Sequence, residues 1–167
     1  CWHMQSRMDR RYYIADLITE ILSGGGSSRL YQALVKEKKL FSNIECHHSG
    51  SVENGLLTIE GKLVKGTKIQ DAEAAVEEEL EKMRTEKVSD MELQKVKNKT
   101  ESMIAFEDMS VMNRAASIAF YELLGDAAGI NFELDKYNLI TADDILQESK
   151  NIFRNENSNT LYYLSNN

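Results

Sequence analysis

The sequence contains no proline, where a chain of this length would carry about eight at the usual ~5%. Proline-rich linkers are therefore excluded, and helices meet no forced break. Cysteine is scarce as well. Cys1 and Cys46 form no Cys-x-x-Cys pair and no disulfide framework, so the fold rests on its core, and the redox setting leans reducing. No apolar run approaches the roughly 20 residues of a bilayer span. Basic side chains are outnumbered: 20 Lys and Arg against 27 Asp and Glu give a net charge of -7. Phosphate and anionic lipid surfaces need a basic field, so neither nucleic acid nor a membrane is expected as a partner. Residues 1–30 show no secretory signal, because Arg7, Asp9, Arg10, Arg11 and Asp16 interrupt every apolar stretch.

What is present suits one domain. The chain has 167 residues, 42% hydrophobic and 28% charged, enough for a single sizeable core. It opens Cys1-Trp2-His3-Met4 without an initiator methionine, and reads as a piece of a longer protein. Its compartment stays open between cytoplasm and periplasm.

Trp2 and Met4 alternate against His3, as at the end of a strand. Tyr12, Tyr13, Ile14, Leu17, Ile18, Ile21 and Leu22 recur at helical spacing and predict a helix over about 6–23. Gly24-Gly25-Gly26 ends it, and Ser27 or Ser28 starts a short helix to about Lys38. Two extended runs, 40–48 and 56–64, flank Asn54-Gly55 and read as an antiparallel hairpin. Gly61 weakens the alternation of the second run or marks a bulge. Ile69, Ala72, Val76, Leu80 and Met83 then stripe an acidic helix over 68–86. Ser89 and Glu92 form a capping box that opens a long helical region through Leu124, kinked at Met109-Ser110. Gly125, Asp126 and Gly129 punctuate its exit, a short helix spans 132–137, and Thr141 caps a last helix. The β-rich run 159–164 reads as a closing strand. Together these predict an α+β fold, a largely antiparallel sheet with helices on one face.

Few constellations carry chemistry. His47 and His48 point to opposite faces of a strand and cannot share one ion, while Cys46 and His48 would need further ligands that only His3 remains to supply. No zinc-hydrolase motif, H-x-x-E-H or its inverse, can be written in this chain. The glycine run lacks a Walker lysine and follows a helix, which favours helix-to-helix punctuation over a phosphate loop. Glu77, Glu78, Glu79 and Glu81 read as a solvated helix face, and Asp90, Asp143 and Asp144 as first-turn carboxylates favoured by the helix dipole. The sequon at Asn98 lies mid-helix, and Met103, Met109 and Met112 read as core filler.

The segment Leu22-Ser23-Gly24-Gly25-Gly26-Ser27-Ser28-Arg29-Leu30-Tyr31, followed by a charged helix and a hairpin, resembles the pitrilysin/insulinase family of zinc metallopeptidases. That family includes mitochondrial processing peptidase and non-catalytic relatives in respiratory complexes. The acidic helix 69–86, Val88-Ser89-Asp90-Met91-Glu92-Leu93 with Lys95 and Lys97, and Ile140-Thr141-Ala142-Asp143-Asp144-Ile145 extend the likeness in order along nearly the whole chain. The resemblance implies the second, C-terminal, non-zinc half of such a protein over residues 1–167. It would help form a chamber for an extended peptide substrate, with zinc held by a sister domain and no cofactor or metal site in this chain. Gly25, Gly26, Ser27, Ser28, Arg29 and Tyr31 become candidate substrate-binding or chamber-wall residues. No catalytic residue is expected, because the family's Arg and Tyr, seven residues apart, fall on Val35 and Ser42, which offer no comparable donors. Exposed strand edges, including residues 1–4, would suit an extended peptide or the sister domain. A structural scaffold of the same family, without peptide handling, is the alternative.

Overall fold

In the computed structural model, which describes residues 1–50 and 52–164, the first helix is the hub. Helix α1 (Arg10–Ser23) buries Tyr12, Tyr13, Ile14, Ala15, Leu17, Ile18, Ile21 and Leu22, far more than one stripe, as a helix must when it is enclosed on several sides. It starts later than the apolar spacing suggests, because Asp9 accepts a hydrogen bond from Arg11 N at 2.8 Å and so supplies the cap.

One side of α1 lies on a three-stranded antiparallel sheet formed by β1 (Trp2–Met4), β2 (Phe41–His48) and β3 (Gly55–Leu63), in the order β1-β3-β2. Alternation sorts the faces. Phe41, Ile44, Cys46 and Leu57 are buried towards the helices, while Asn43, Glu45, His47, Glu60 and Lys62 face out. The irregularity at Gly61 belongs to its partner: Phe41 pairs with Leu63 and Asn43 with Lys62, so Ser42 is the extra residue of a bulge. The Phe41 ring then lies over Gly61, where an added Cβ would come within 2.5 Å of it. Asn54-Gly55 does not form the turn itself. Gly55 already pairs with Met4, and its Cα faces the Ser49 carbonyl too closely for a side chain.

Helices α2 (Ile69–Thr85), α3 (Asp90–Glu107), α4 (Val111–Leu123), α5 (Glu133–Asn138) and α6 (Ala142–Ile152) complete the fold, with a π-helical turn at Tyr31–Glu37 and a 3-10 turn at Ala127–Phe132. α6 packs on both α1 and α2, and Phe153 behind it meets Trp2 edge to face at 5.2 Å. Thr141 and Asp144 close the capping box that starts α6.

Several expectations change. The long helix beyond Ser89 is two helices, because Ser110 accepts from Asn113 N and caps a new start. Glu79 is not on the solvated face with Glu77, Glu78 and Glu81. It lies buried beside Leu80 and Met83, where Lys82 satisfies it at 2.6 Å. Met103, Met109 and Met112 are exposed and fill no core. The run 159–164 forms no strand. Ser158 bridges Trp2, and Cys1 and Asn159 exchange two backbone bonds at 2.8 and 2.9 Å. Beyond that pairing no strand is formed among the described residues, and Tyr163 is 97% exposed.

Candidate functional site

The glycine run leaves α1 through Gly25, whose φ of 120° is open to glycine and strained for other residues. Its carbonyls are all engaged. Lys99 Nζ donates to Gly24 O at 2.9 Å, Ser28 Oγ to Gly25 O at 2.6 Å, Gln32 Nε2 to Gly26 O, and Lys95 Nζ to Ser27 O at 3.4 Å and Ser27 Oγ at 3.2 Å. Lys95 and Lys99 lie one turn apart on α3, so that helix holds the loop from one side. Among the described residues, the N–H groups of Gly26 and Ser27 find no protein acceptor. Two exposed amides on a glycine loop can donate to a peptide carbonyl that approaches the backbone closely.

The six candidate residues therefore divide. Gly25, Gly26 and Ser27 are exposed, whereas Ser28 is buried and turned back on the loop. Arg29 points away from the loop surface into a fork-to-fork pair with Glu92, which raises its pKa further through hydrogen bonding and charge. Tyr31 is half-buried, with Lys36 Nζ 5.7 Å from its ring centroid. Val35 packs against the core, and Ser42 Oγ donates to Lys62 O at 3.0 Å. The loop is also tied to the sheet. Ser23 Oγ donates to Cys46 O at 2.8 Å and accepts from Cys46 N at 2.7 Å, occupying the outer backbone groups of the edge strand β2 at that position.

Sequence spacing gave no sign of a second polar cluster. Asp16 on α1 accepts from the Tyr137 hydroxyl at 2.7 Å and lies 2.9 Å from His48 Nε2, while the His48 ring meets Tyr12 edge to face. Burial, then the Asp16 charge, pushes the Tyr137 hydroxyl up. Residues 16, 48 and 137 stand too far apart in sequence for any local signal, and only the periodic burial of α1 hints that Asp16 faces inward.

These groups do not fit a zinc ion. His48 Nε2 is committed to Asp16, burial raises the Cys46 thiol well above its ordinary range, and among the described residues no three His, Cys, Asp or Glu side chains gather. No catalytic step can be derived through a metal held here.

Comparison with known proteins places this architecture. Residues 1–100 match the family model described as peptidase M16 inactive domain. No curated protein matches the chain. Among solved structures, a protease from Helicobacter pylori superposes with a TM-score of 0.85 at 18% identity, over 93% of this chain and 38% of that one. An inactive peptidase domain from Bordetella parapertussis gives 0.82 at 20% identity, over 93% of this chain and 85% of that one. A peptidase M16 inactive domain from Pseudomonas fluorescens gives 0.69 at 15% identity, over 91% and 37%. The chain thus spans little more than a third of the Helicobacter protease it resembles. Those likenesses establish the α+β fold, and the family model covers 100 of the 167 residues. The chain belongs to the peptidase M16 inactive-domain family, the zinc-protease family that its glycine-run motif resembles.

Proposed function

We propose that this chain is the C-terminal, non-zinc half of a zinc metalloendopeptidase. It forms one wall of a chamber that holds an extended peptide, while the zinc, its water and the general base belong to a sister domain. There the metal would polarise the scissile carbonyl and activate water. The residues of this chain bind and orient: the Gly26 and Ser27 amides are free to meet a peptide carbonyl, and the polar outer face of the sheet stays open.

The observation that carries this reading is an uncovered apolar face along the end of α3 and the length of α4. Phe106, Met109, Val111, Met112, Leu123 and Phe132 are all exposed, Val111 to 86%, and Tyr121 is the one buried residue of α4. A helix of Val, Met, Ala, Ile and Leu with so little cover is expected to meet another surface. A sister domain supplies it.

The test mixes the chain with the zinc-binding half of the same protein. A one-to-one complex that cleaves peptide only when both halves are present is expected, and the double substitution of Val111→Asp and Met112→Lys should break it. Stoichiometric zinc with chelator-sensitive cleavage by this chain alone would sink the assignment. A scaffold role without peptide handling is favoured by Val35 and Ser42 and by the commitment of Arg29 to Glu92. An extended peptide that perturbs the Gly26 and Ser27 amides in the assembled protein would decide against it.

A further inference from the structure

A cleft of about 450 Å3 opens where the approach to α1 meets the end of α4, the 3-10 turn and α5. Met8, Leu124 and Leu139 give it an apolar wall. Its charged groups are mainly cationic, Arg7, Arg10 and Lys136 against the carboxylate of Asp126. Two of these cations are already matched. Arg7 pairs with Glu133, and Arg10 is bidentate on Asp144 at 2.8 and 2.9 Å. Asp126 gives one oxygen to Ala128 N at 2.9 Å.

Lys136 is different. Among the described residues no carboxylate lies within ion-pair distance of its ammonium. It donates to the Tyr13 hydroxyl at 2.9 Å and sits 4.8 and 5.3 Å from the ring centroids of Tyr13 and Tyr121. Aromatic faces hold an ammonium without neutralising it, and an ammonium with one donor used keeps two more. Two further polar atoms of the lining are buried without a hydrogen-bond partner among the described residues, Arg7 Nε and the Tyr121 hydroxyl. The Tyr121 hydroxyl lies beside Arg7 and Tyr13 and completes a bond to neither. Buried polar atoms are seldom left so. A mostly apolar cleft with a few convergent donors is the pattern of a small-ligand site.

We propose that this cleft binds a carboxylate carried on a short apolar body. The Lys136 ammonium pairs with the carboxylate, and Met8, Leu124 and Leu139 receive the body. Such a group comes either from the last residue of a peptide or from a free short-chain acid. The inference does not depend on the chamber reading, because the cleft lies on other elements than the glycine loop.

The test is an NMR titration of the isotope-labelled chain with N-acetyl-leucine and with hexanoate, each against its neutral amide, followed at the backbone amides of Tyr121, Gly129 and Lys136. At least one acid should saturate these shifts, with its amide about tenfold weaker or worse. Tighter binding of N-acetyl-leucine assigns the site to a peptide end, and tighter binding of hexanoate to a free acid. Lys136→Met should lose about tenfold in affinity while Lys136→Arg retains most of it. The acid-against-amide comparison uses the unaltered chain and so stands even if a variant fails to fold. No saturation by either acid, equal binding of acid and amide, or undiminished affinity in a folded Lys136→Met chain would overturn the proposal.

Discussion

Arg29 and Glu92 meet fork to fork across 63 residues of sequence, Nε on Oε1 at 2.9 Å and Nη2 on Oε2 at 2.7 Å, with both side chains about one-fifth exposed. The pair fastens the start of the π-helical turn to the first turn of α3. It also explains a half-made capping box. Ser89 accepts from Glu92 N as its sequence implies, but the Glu92 carboxylate turns to Arg29 in place of the Ser89 backbone.

Arg29→Ala and Glu92→Gln should each destabilise the chain by about 1–3 kcal/mol, between an exposed pair and a fully buried one. Arg29→Lys should recover only part, since an ammonium cannot reproduce the fork. Urea unfolding checks this. An unchanged midpoint in Arg29→Ala would mean that the side chain is kept for a substrate and does not hold the fold.

Gly61 is required by the Phe41 ring, which leaves no room for a Cβ. Gly61→Ala should cost about 1–3 kcal/mol through overpacking. Phe41→Leu should cost stability alone, yet in the double variant the two losses should sum to less than their separate values. A thermodynamic cycle from thermal melts measures that coupling, and strict additivity would refute the contact.

Lys39 adopts a φ of 52°, the one positive value among the non-glycine described residues. Its side chain is exposed and makes no hydrogen bond there. Lys39→Gly should therefore stabilise the protein by about 0.5–1 kcal/mol, or about 1–4 °C in Tm for a chain of this size. A lower Tm would show that the lysine contributes more than its backbone costs.

Asp144 is held well below the usual carboxylate range, first by hydrogen bonds from Arg10 and then by Thr141. A carboxyl that protonates more readily unfolded than folded adds stability above its unfolded pKa, about 3.9, and loses it progressively as pH falls below that value. Unfolding midpoints should drop on going from pH 6 to pH 3, and Asp144→Asn should flatten that dependence while lowering stability at pH 6. An equal acid loss in both proteins would assign it elsewhere.

Much of this fold is legible in the sequence. The glycine run, Ser89, Thr141 and the alternation in β3 act within one to four residues, and each terminates or starts the element it predicts. The candidate site was legible in part. Gly25 and Gly26 lie on an exposed loop, as a run between helices must, but the destination of Arg29 depended on a helix 63 residues away. Glu79 read as solvated because its neighbours are acidic, and only the packing of α2 against the rest of the core turns it inward.

Local sequence by itself determined the kind and order of most elements, the absence of a zinc motif and the α+β fold class, because periodicity, capping and turn chemistry are short-range. Tertiary structure alone decided which groups find partners. Residues 159–164 have strand propensity but form no strand, Asp16 gathers His48 and Tyr137, and Lys136 lies beside two tyrosine rings contributed by α1 and α4. Pairing of that sort depends on what folding brings alongside, and a linear pattern carries no record of it.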